Sequence, residues 1–393
     1  MRRGSIALLV TVLLLAPHPA VGGDVESFNS RLFDLQYFTR PFERAAVAGG
    51  AWEGAEGSAA SVVQNPAALA SVRKPELLTF WTLNYLSGET YGLKRLIPPG
   101  PGRPEPIRIC EKPRALLSNV GAYQAFQPST IPGTLGLGVD YLWDDFTGNR
   151  VTQIEQNGYR LGLTYGVPIG EHLSVGYGLT YLNDTWHWAV TWPRFSPGSP
   201  IPQNVNYLLR SGGNSWRHRF GLHGDVERSF RYGLEGDVGH GYTGNTWNGV
   251  DTGGDNDMEY YAFRAGFEYN VTPKTIVALD GEWHNIVVGF GLHSAAIGAG
   301  SAVARWDTSV LRPMAGVKHS VTDNWQLLAG YRYSTFNTVD MCHKSADSDY
   351  STFSVGSVFS LPESRLIVRW NIEYSTVDPD GEIMNLLVVQ AVF

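Results

Sequence analysis

The 393-residue sequence has two cysteines, and charged residues make up only 17% of it. Two cysteines are too few for a disulfide scaffold. The 30 basic residues are outnumbered by 37 acidic ones, for a net charge of −7, which argues against a nucleic-acid partner. Beyond the N-terminus no segment offers 18 uncharged apolar residues in a row, so no transmembrane helix is available. Neither H-E-x-x-H nor G-x-S-x-G occurs, and His187, His223, His240, His284 and His319 fall in different strand-like segments. Asp144, Asp145 and Asp184 read as a solvated rim rather than a catalytic set. The expectation is a non-enzymatic chain with no metal, ATP site or other cofactor.

What the chain does have is aromatic and glycine: 12 Trp, 19 Tyr, 17 Phe and 45 Gly. Its first residues, MRRGSIALLVTVLLLAPHPAVGGD, combine Arg2 and Arg3, an apolar run from Ser5 to Ala16, and small residues at Ala20, Gly22 and Gly23. That is the pattern of a secretory signal over 1–23, and the run is too short to span a bilayer. No cysteine follows that would anchor a lipoprotein. Removing the two arginines takes the net charge from −7 to about −9.

The rest alternates with period two. In YYAFRAGFEYN, Tyr261, Phe263, Ala265, Phe267 and Tyr269 share one face and Arg264 and Glu268 the other. In SRLIVRWNIEYS, Leu366, Val368, Trp370, Ile372 and Tyr374 oppose Arg369, Asn371 and Glu373. In SWRHRFGLHGDVE, Trp216, Phe220, Leu222 and Val226 oppose Arg217, Arg219, His223 and Asp225, with His218 out of place on the apolar side. Charges of both signs on one face and Tyr and Trp at the ends of the other suit a water-facing lumen and aromatic girdles.

Fourteen such segments are counted, near 77–86, 115–126, 133–145, 157–168, 172–190, 215–228, 231–243, 258–270, 275–288, 308–320, 324–337, 349–361, 364–376 and 384–393. Short connections (VPIGEH, ERSFRY, NVTPKT, VTDN, LPES) alternate with longer ones at 87–114, 146–156, 191–214, 244–257, 289–307 and 338–348. The expected fold is all-β: a transmembrane antiparallel barrel of about 14 strands over 77–393, after an N-terminal segment, 24–76, that fits no strand. The last strand ends on Phe393, a terminal aromatic resembling the signal read by the outer-membrane barrel-assembly machinery. The expected setting is the outer membrane of a Gram-negative bacterium, among its lipid and lipopolysaccharide.

Residues 24–76 contain ERAAVAGGAWEGAEGSAASVVQNPAALASV. Arg44-Ala45 with Gly49-Gly50, the small-residue stretch Ala55 to Ala60, and Asn65-Pro66-Ala67 just before the first strand resemble the N-terminal signature of the FadL-type long-chain fatty-acid transporters. The resemblance implies a fourteen-stranded barrel whose lumen holds this segment as a plug. A barrel of that width is too wide for its wall side chains to fill. It also implies passive uptake of hydrophobic small molecules, such as long-chain fatty acids or aromatic hydrocarbons. An alternative of similar size and motif is a barrel that serves as a shuttle or docking protein in type IX-like secretion.

Three further readings concern the rims and the wall. Trp186, Trp188, Trp192 and Phe195, with Leu208 and Leu209, fall around the expected loop 191–214. A girdle accounts for Trp186 and Trp188 without a ligand. Phe195, Leu208 and Leu209 lie farther out, and the resemblance makes Trp188, Trp192, Phe195, Leu208 and Leu209 a candidate ligand groove. Gly133, Gly136 and Gly138 fit either a strand kink that opens the wall or close packing against the plug. Arg217, Arg219, Asp225, Glu235, Asp237, Arg264, Glu268, Asp280, Glu282, Arg369 and Glu373 are expected in the lumen, paired with one another and the plug. Cys110 and Cys342 fall in loops expected on the same outer rim of an exported protein, where a disulfide between them would persist; two free thiols are the alternative.

Overall fold

The computed structural model describes residues 57–87, 114–147, 152–194, 203–227, 229–247, 256–292, 302–339, 345–361, 365–377 and 380–393, with the short stretches 95–97, 107–109 and 250–251. Residues 1–56, Phe195, Cys110 and Cys342 lie outside the described residues.

Fourteen strands form the wall: β1 (Glu76–Ser87), β2 (Arg114–Phe126), β3 (Thr134–Thr147), β4 (Thr152–Pro168), β5 (Leu173–Arg194), β6 (Gln203–Glu227) and β7 (Phe230–Trp247). They continue as β8 (Asn256–Thr272), β9 (Thr275–Leu292), β10 (Ala302–Thr322), β11 (Trp325–Val339), β12 (Ser345–Leu361), β13 (Leu366–Val377) and β14 (Asp380–Val392). Each pairs antiparallel with its neighbours in sequence, and β1 pairs with β14 from Glu76↔Val392 to Leu86↔Glu382, closing the barrel. Closure leaves no edge strand, so every wall strand has a hydrogen-bonding neighbour on both sides.

The strand count agrees with the alternation, but the strands are longer than it indicates. β5 runs to Arg194 and β6 starts at Gln203, so most of the expected loop 191–214 is paired hairpin. The expected loop 146–156 shrinks to 148–151. The physical reason is that an antiparallel ladder needs only backbone partners, whereas hydrophobic alternation marks only the stretch that faces lipid. A period-two reading therefore stops where the apolar belt stops.

At the other rim the turns are tight and chemically specified. Thr272 and Thr322 each accept a hydrogen bond at the side-chain oxygen from the backbone N–H two residues on, Lys274 at 3.2 Å and Asn324 at 3.3 Å. These hydroxyls stabilise two-residue connections, and the ladder shifts register beside each of them. Each turn also hooks onto the next hairpin, as in Ser320 N–H to Lys274 O at 2.8 Å and Ser360 N–H to Asn324 O at 2.9 Å.

The wall is apolar outside and polar inside. On β8, Phe263 is 51% exposed on the outer face while Arg264 is fully buried on the inner one. Trp81, Tyr141, Trp216, Trp283, Trp370 and Tyr374 are likewise exposed outward. An exposed apolar belt around buried Arg, Glu, Asp and Asn inverts a soluble fold and suits a wall bathed in lipid.

Candidate functional site

The lumen is the candidate site, and its narrow-turn end holds residues 57–72. Two 3-10 turns shape this segment. Ser58 caps the turn Ala59–Val62, accepting from Ala60 N–H, while Ser61 Oγ accepts from Ser58 N–H at 3.2 Å. Asn65 caps Pro66–Ser71: its Oδ1 accepts from Ala67 N–H at 3.0 Å, and Pro66 takes the first helical position, where its missing N–H costs nothing. The Asn-Pro-Ala triplet is thus a capped helix start.

The segment is tied to the wall by side-chain to backbone bonds. Asn65 Nδ2 donates to Leu222 O of β6 at 2.9 Å. Arg219 of β6 donates to Gln64 O at 2.8 Å and also to Val62 O. Thr164 of β4 donates to Val62 O and Ser174 of β5 to Ala67 O, each at 2.9 Å. Glu76 at the foot of β1 accepts from Ala59 N–H at 2.8 Å and from Gln390 of β14 at 2.9 Å. Val62, Val63, Leu69 and Val72 join Phe80, Tyr123, Leu328, Val358 and Val388 in one apolar cluster, so the segment meets both sides of the lumen.

Close approach accounts for the wall glycines. A Cβ on Gly176 would overlap the Pro66 carbonyl carbon, and one on Gly221 would overlap Asn65 Oδ1. The same holds for the glycines read as a possible kink: a Cβ on Gly136 would sit 2.5 Å from Val62, and one on Gly138 2.5 Å from Tyr123. β3 keeps an unbroken ladder on both sides, from Phe126↔Leu135 to Arg114↔Thr147 and from Thr134↔Gly166 to Thr147↔Gln153. At Gly136 and Gly138 the neighbouring side chains of Val62 and Tyr123 leave no room for a Cβ. Gly133 lies in the turn before β3 at φ +97°, a conformation that favours glycine.

Across the lumen, β6 to β13 carry buried charges. Arg264 Nη1 lies 2.9 Å from Glu235 and 3.6 Å from Asp237, and its Nε lies 3.5 Å from Glu282. Arg312 approaches Glu282 at 3.6 Å. His284 bridges Tyr260 OH and Glu282 Oε2, both at 2.9 Å, and Arg217 lies over the Tyr260 ring at 4.0 Å. Nearer the narrow-turn rim, Glu268 meets Arg231 at 3.0 Å and also Lys318; farther round, Arg332 meets Glu373 at 2.6 Å. Most of the lumen charges expected from sequence stand inside, with Arg219 bonded to the carbonyls of Val62 and Gln64. Asp225 is the exception: it pairs at the exposed rim with His172 at 3.0 Å. Sequence reasoning passed over Arg312, Arg332, His284 and Tyr260, although their parity along β8 to β11 carries the signal. Among the described residues no group of three His, Cys, Asp or Glu would hold a metal ion.

On the long-loop side of these charges the inner wall turns apolar. Met258 follows Tyr260 on β8, Ile286 follows His284 on β9, and Val310 follows Arg312 on β10, all nearly fully buried. The ladder sets Ile286 beside Tyr260 and Thr308, with Met258 and Val310 on the diagonals, so the three make one patch.

The ladder gives the backbone pairing around the expected outer groove. Trp188 pairs with Leu209, Ala189 with Leu208, and Trp192 with Val205. Phe195 lies outside the described residues.

No family model matches this sequence, and no curated protein does. Solved structures do. The toluene transporter TbuX of Ralstonia pickettii matches with TM-score 0.59 and 12% identity, over 92% of this chain and 100% of its own. A mutant of the monoaromatic hydrocarbon channel TodX matches with TM-score 0.59 and 10% identity, over 88% and 97%. A Pseudomonas aeruginosa FadL homologue matches with TM-score 0.55 and 13% identity, over 89% and 97%. At such identities the likeness speaks for architecture: the chain has the fold of the FadL-type barrels, closed by fourteen strands.

Proposed function

We propose that this chain is an outer-membrane channel for passive uptake of hydrophobic small molecules, not an enzyme. The observation that carries this reading is the lumen. Residues 57–72 are bound across its narrow-turn end, and an apolar patch faces inward from the long-loop side. The fold it shares with hydrocarbon channels supports the same reading and favours it over a secretion shuttle. Ligand enters from the long-loop rim, passes along the lumen, and leaves when the plug shifts. Residues 1–23 are removed on export, and 24–76 act together as the plug. Lipid and lipopolysaccharide surround the belt. Phe393, 62% exposed and bonded through its N–H to Pro75 O at 2.9 Å, serves the assembly machinery. The test is mass spectrometry of apolar molecules carried through purification. Hydrocarbons or fatty acids near one per chain would support the proposal; membrane lipid and detergent alone would oppose it.

A further inference from the structure

We propose that the outer wall of β7 to β9 carries a seat for one acyl chain of a glycerophospholipid, whose phosphate stands at Lys274 on the narrow-turn rim. The proposal concerns the lipid-facing side of the wall and is independent of the channel reading. An open cavity of about 400 Å³ lies there, lined on the outer face by Phe230, Tyr232 and Leu234 of β7, Phe267 of β8, and Leu279 and Gly281 of β9. Its volume falls within the range of small-molecule sites, roughly 300–1,000 Å³. Its floor is the ladder row Leu234–Ala265–Gly281, set between the larger rows Tyr232–Phe267–Leu279 and Gly236–Phe263–Trp283. Gly281 differs from the glycines that admit the segment 57–72: a Cβ there would meet nothing within 4 Å among the described residues. A glycine inside a strand costs stability and often marks where a ligand or another backbone comes close.

The cavity's chemistry, size and depth select a phospholipid. Its outer lining is apolar, and Asp280, the one carboxylate among its lining residues, is 7% exposed on the lumen side. Ten residues line it, against the roughly 20–30 a side of a stable contact with a second chain. Thr275 at the turn and Gly281 are six positions apart. That is about 20 Å of strand, or about 15 Å of depth at a tilt of about 40°, half of a ~30 Å hydrocarbon core. A chain from one leaflet therefore reaches the floor. At the foot of the same column Lys274 is exposed in the turn, where an ammonium attracts lipid phosphate. Between lipid tails and wall there is no hydrophobic gain, so preference for this seat comes from filling the void and from the phosphate contact.

The experiment places the full chain in nanodiscs of phosphatidylglycerol that carries a photoreactive diazirine on one acyl chain. After irradiation, lipid adducts are mapped by peptide mass spectrometry. They should be severalfold more frequent on 230–234, 265–267 and 279–281 than at Leu163 and Val355, which are exposed outward at a similar distance from the same rim. Gly281→Leu fills the cavity and should bring the adducts down to the level of those two positions, with the barrel still heat-modifiable on electrophoresis. Lys274→Glu changes only an exposed turn side chain and should lower them severalfold, which keeps the test decisive if Gly281→Leu does not fold. Uniform labelling around the belt would overturn the proposal, as would an excess that neither variant moves. Cross-links joining two copies of the chain through β7 to β9 would also overturn it and give the surface to a second copy.

Discussion

Arg219 shows how one side chain joins the segment 57–72 to the wall. It is buried at 3% exposure, and its guanidinium serves the carbonyls of Val62 and Gln64, where the turn Ala59–Val62 ends. A cation at the carbonyl end of a turn also complements its dipole. Bonds to a charged group contribute about 1.5–3 kcal/mol each. Arg219→Ala should therefore favour release of the plug by about 3 kcal/mol, roughly a hundredfold in its opening equilibrium. Single-channel recording should show openings that the unaltered chain rarely makes, with Arg219→Lys intermediate. A closed-time distribution unchanged by Arg219→Ala would remove the residue from this role. Asn65-Pro66-Ala67 was legible in the sequence because its chemistry is local: a cap and a proline at fixed spacing. Arg219 was legible only as an inward charge. Its partners lie more than 150 positions away, and nothing local encodes that pairing.

At the scale of elements, alternation identified all fourteen strands, since each must present apolar residues to lipid and polar ones to the lumen. It did not find the strand ends at the long-loop rim. The hairpin of β5 and β6 keeps pairing out to Arg194↔Gln203, where only the backbone ladder sustains it. The glycines of β3 were ambiguous because a kink and a close approach use the same residue; Gly136 and Gly138 lie close to Val62 and Tyr123 in an unbroken register. On β5, Gly176 lets the Pro66 backbone approach. Gly176→Val should leave the wall paired and push the plug segment away. Its barrel should stay heat-modifiable while its conductance in planar bilayers rises severalfold. A conductance equal to that of the unaltered chain would mean that the segment does not close the lumen.

For the whole molecule, closure of β1 on β14 places the start of β1, the end of β14 and the even-numbered connections on one rim and the odd-numbered connections on the other. In the sequence Cys110 falls between β1 and β2, and Cys342 between β11 and β12. A disulfide between them is proposed, worth about 2–4 kcal/mol by restricting the unfolded chain. Labelling of denatured, unreduced protein should find no reactive thiol; two per chain would dismiss the bond.

The central claim is that hydrophobic molecules cross the outer membrane through this lumen, past the segment Asn65 anchors. The direct measurement is the initial rate of labelled naphthalene accumulation by intact Gram-negative cells whose lipopolysaccharide layer blocks free diffusion. Cells carrying the full chain should accumulate it severalfold faster than cells lacking it. A variant in which Ala67→Cys is cross-linked to Ser174→Cys, joining positions already bonded through Ser174 Oγ and Ala67 O, should fall to the baseline and recover on reduction. Equal rates with and without the chain would contradict the account.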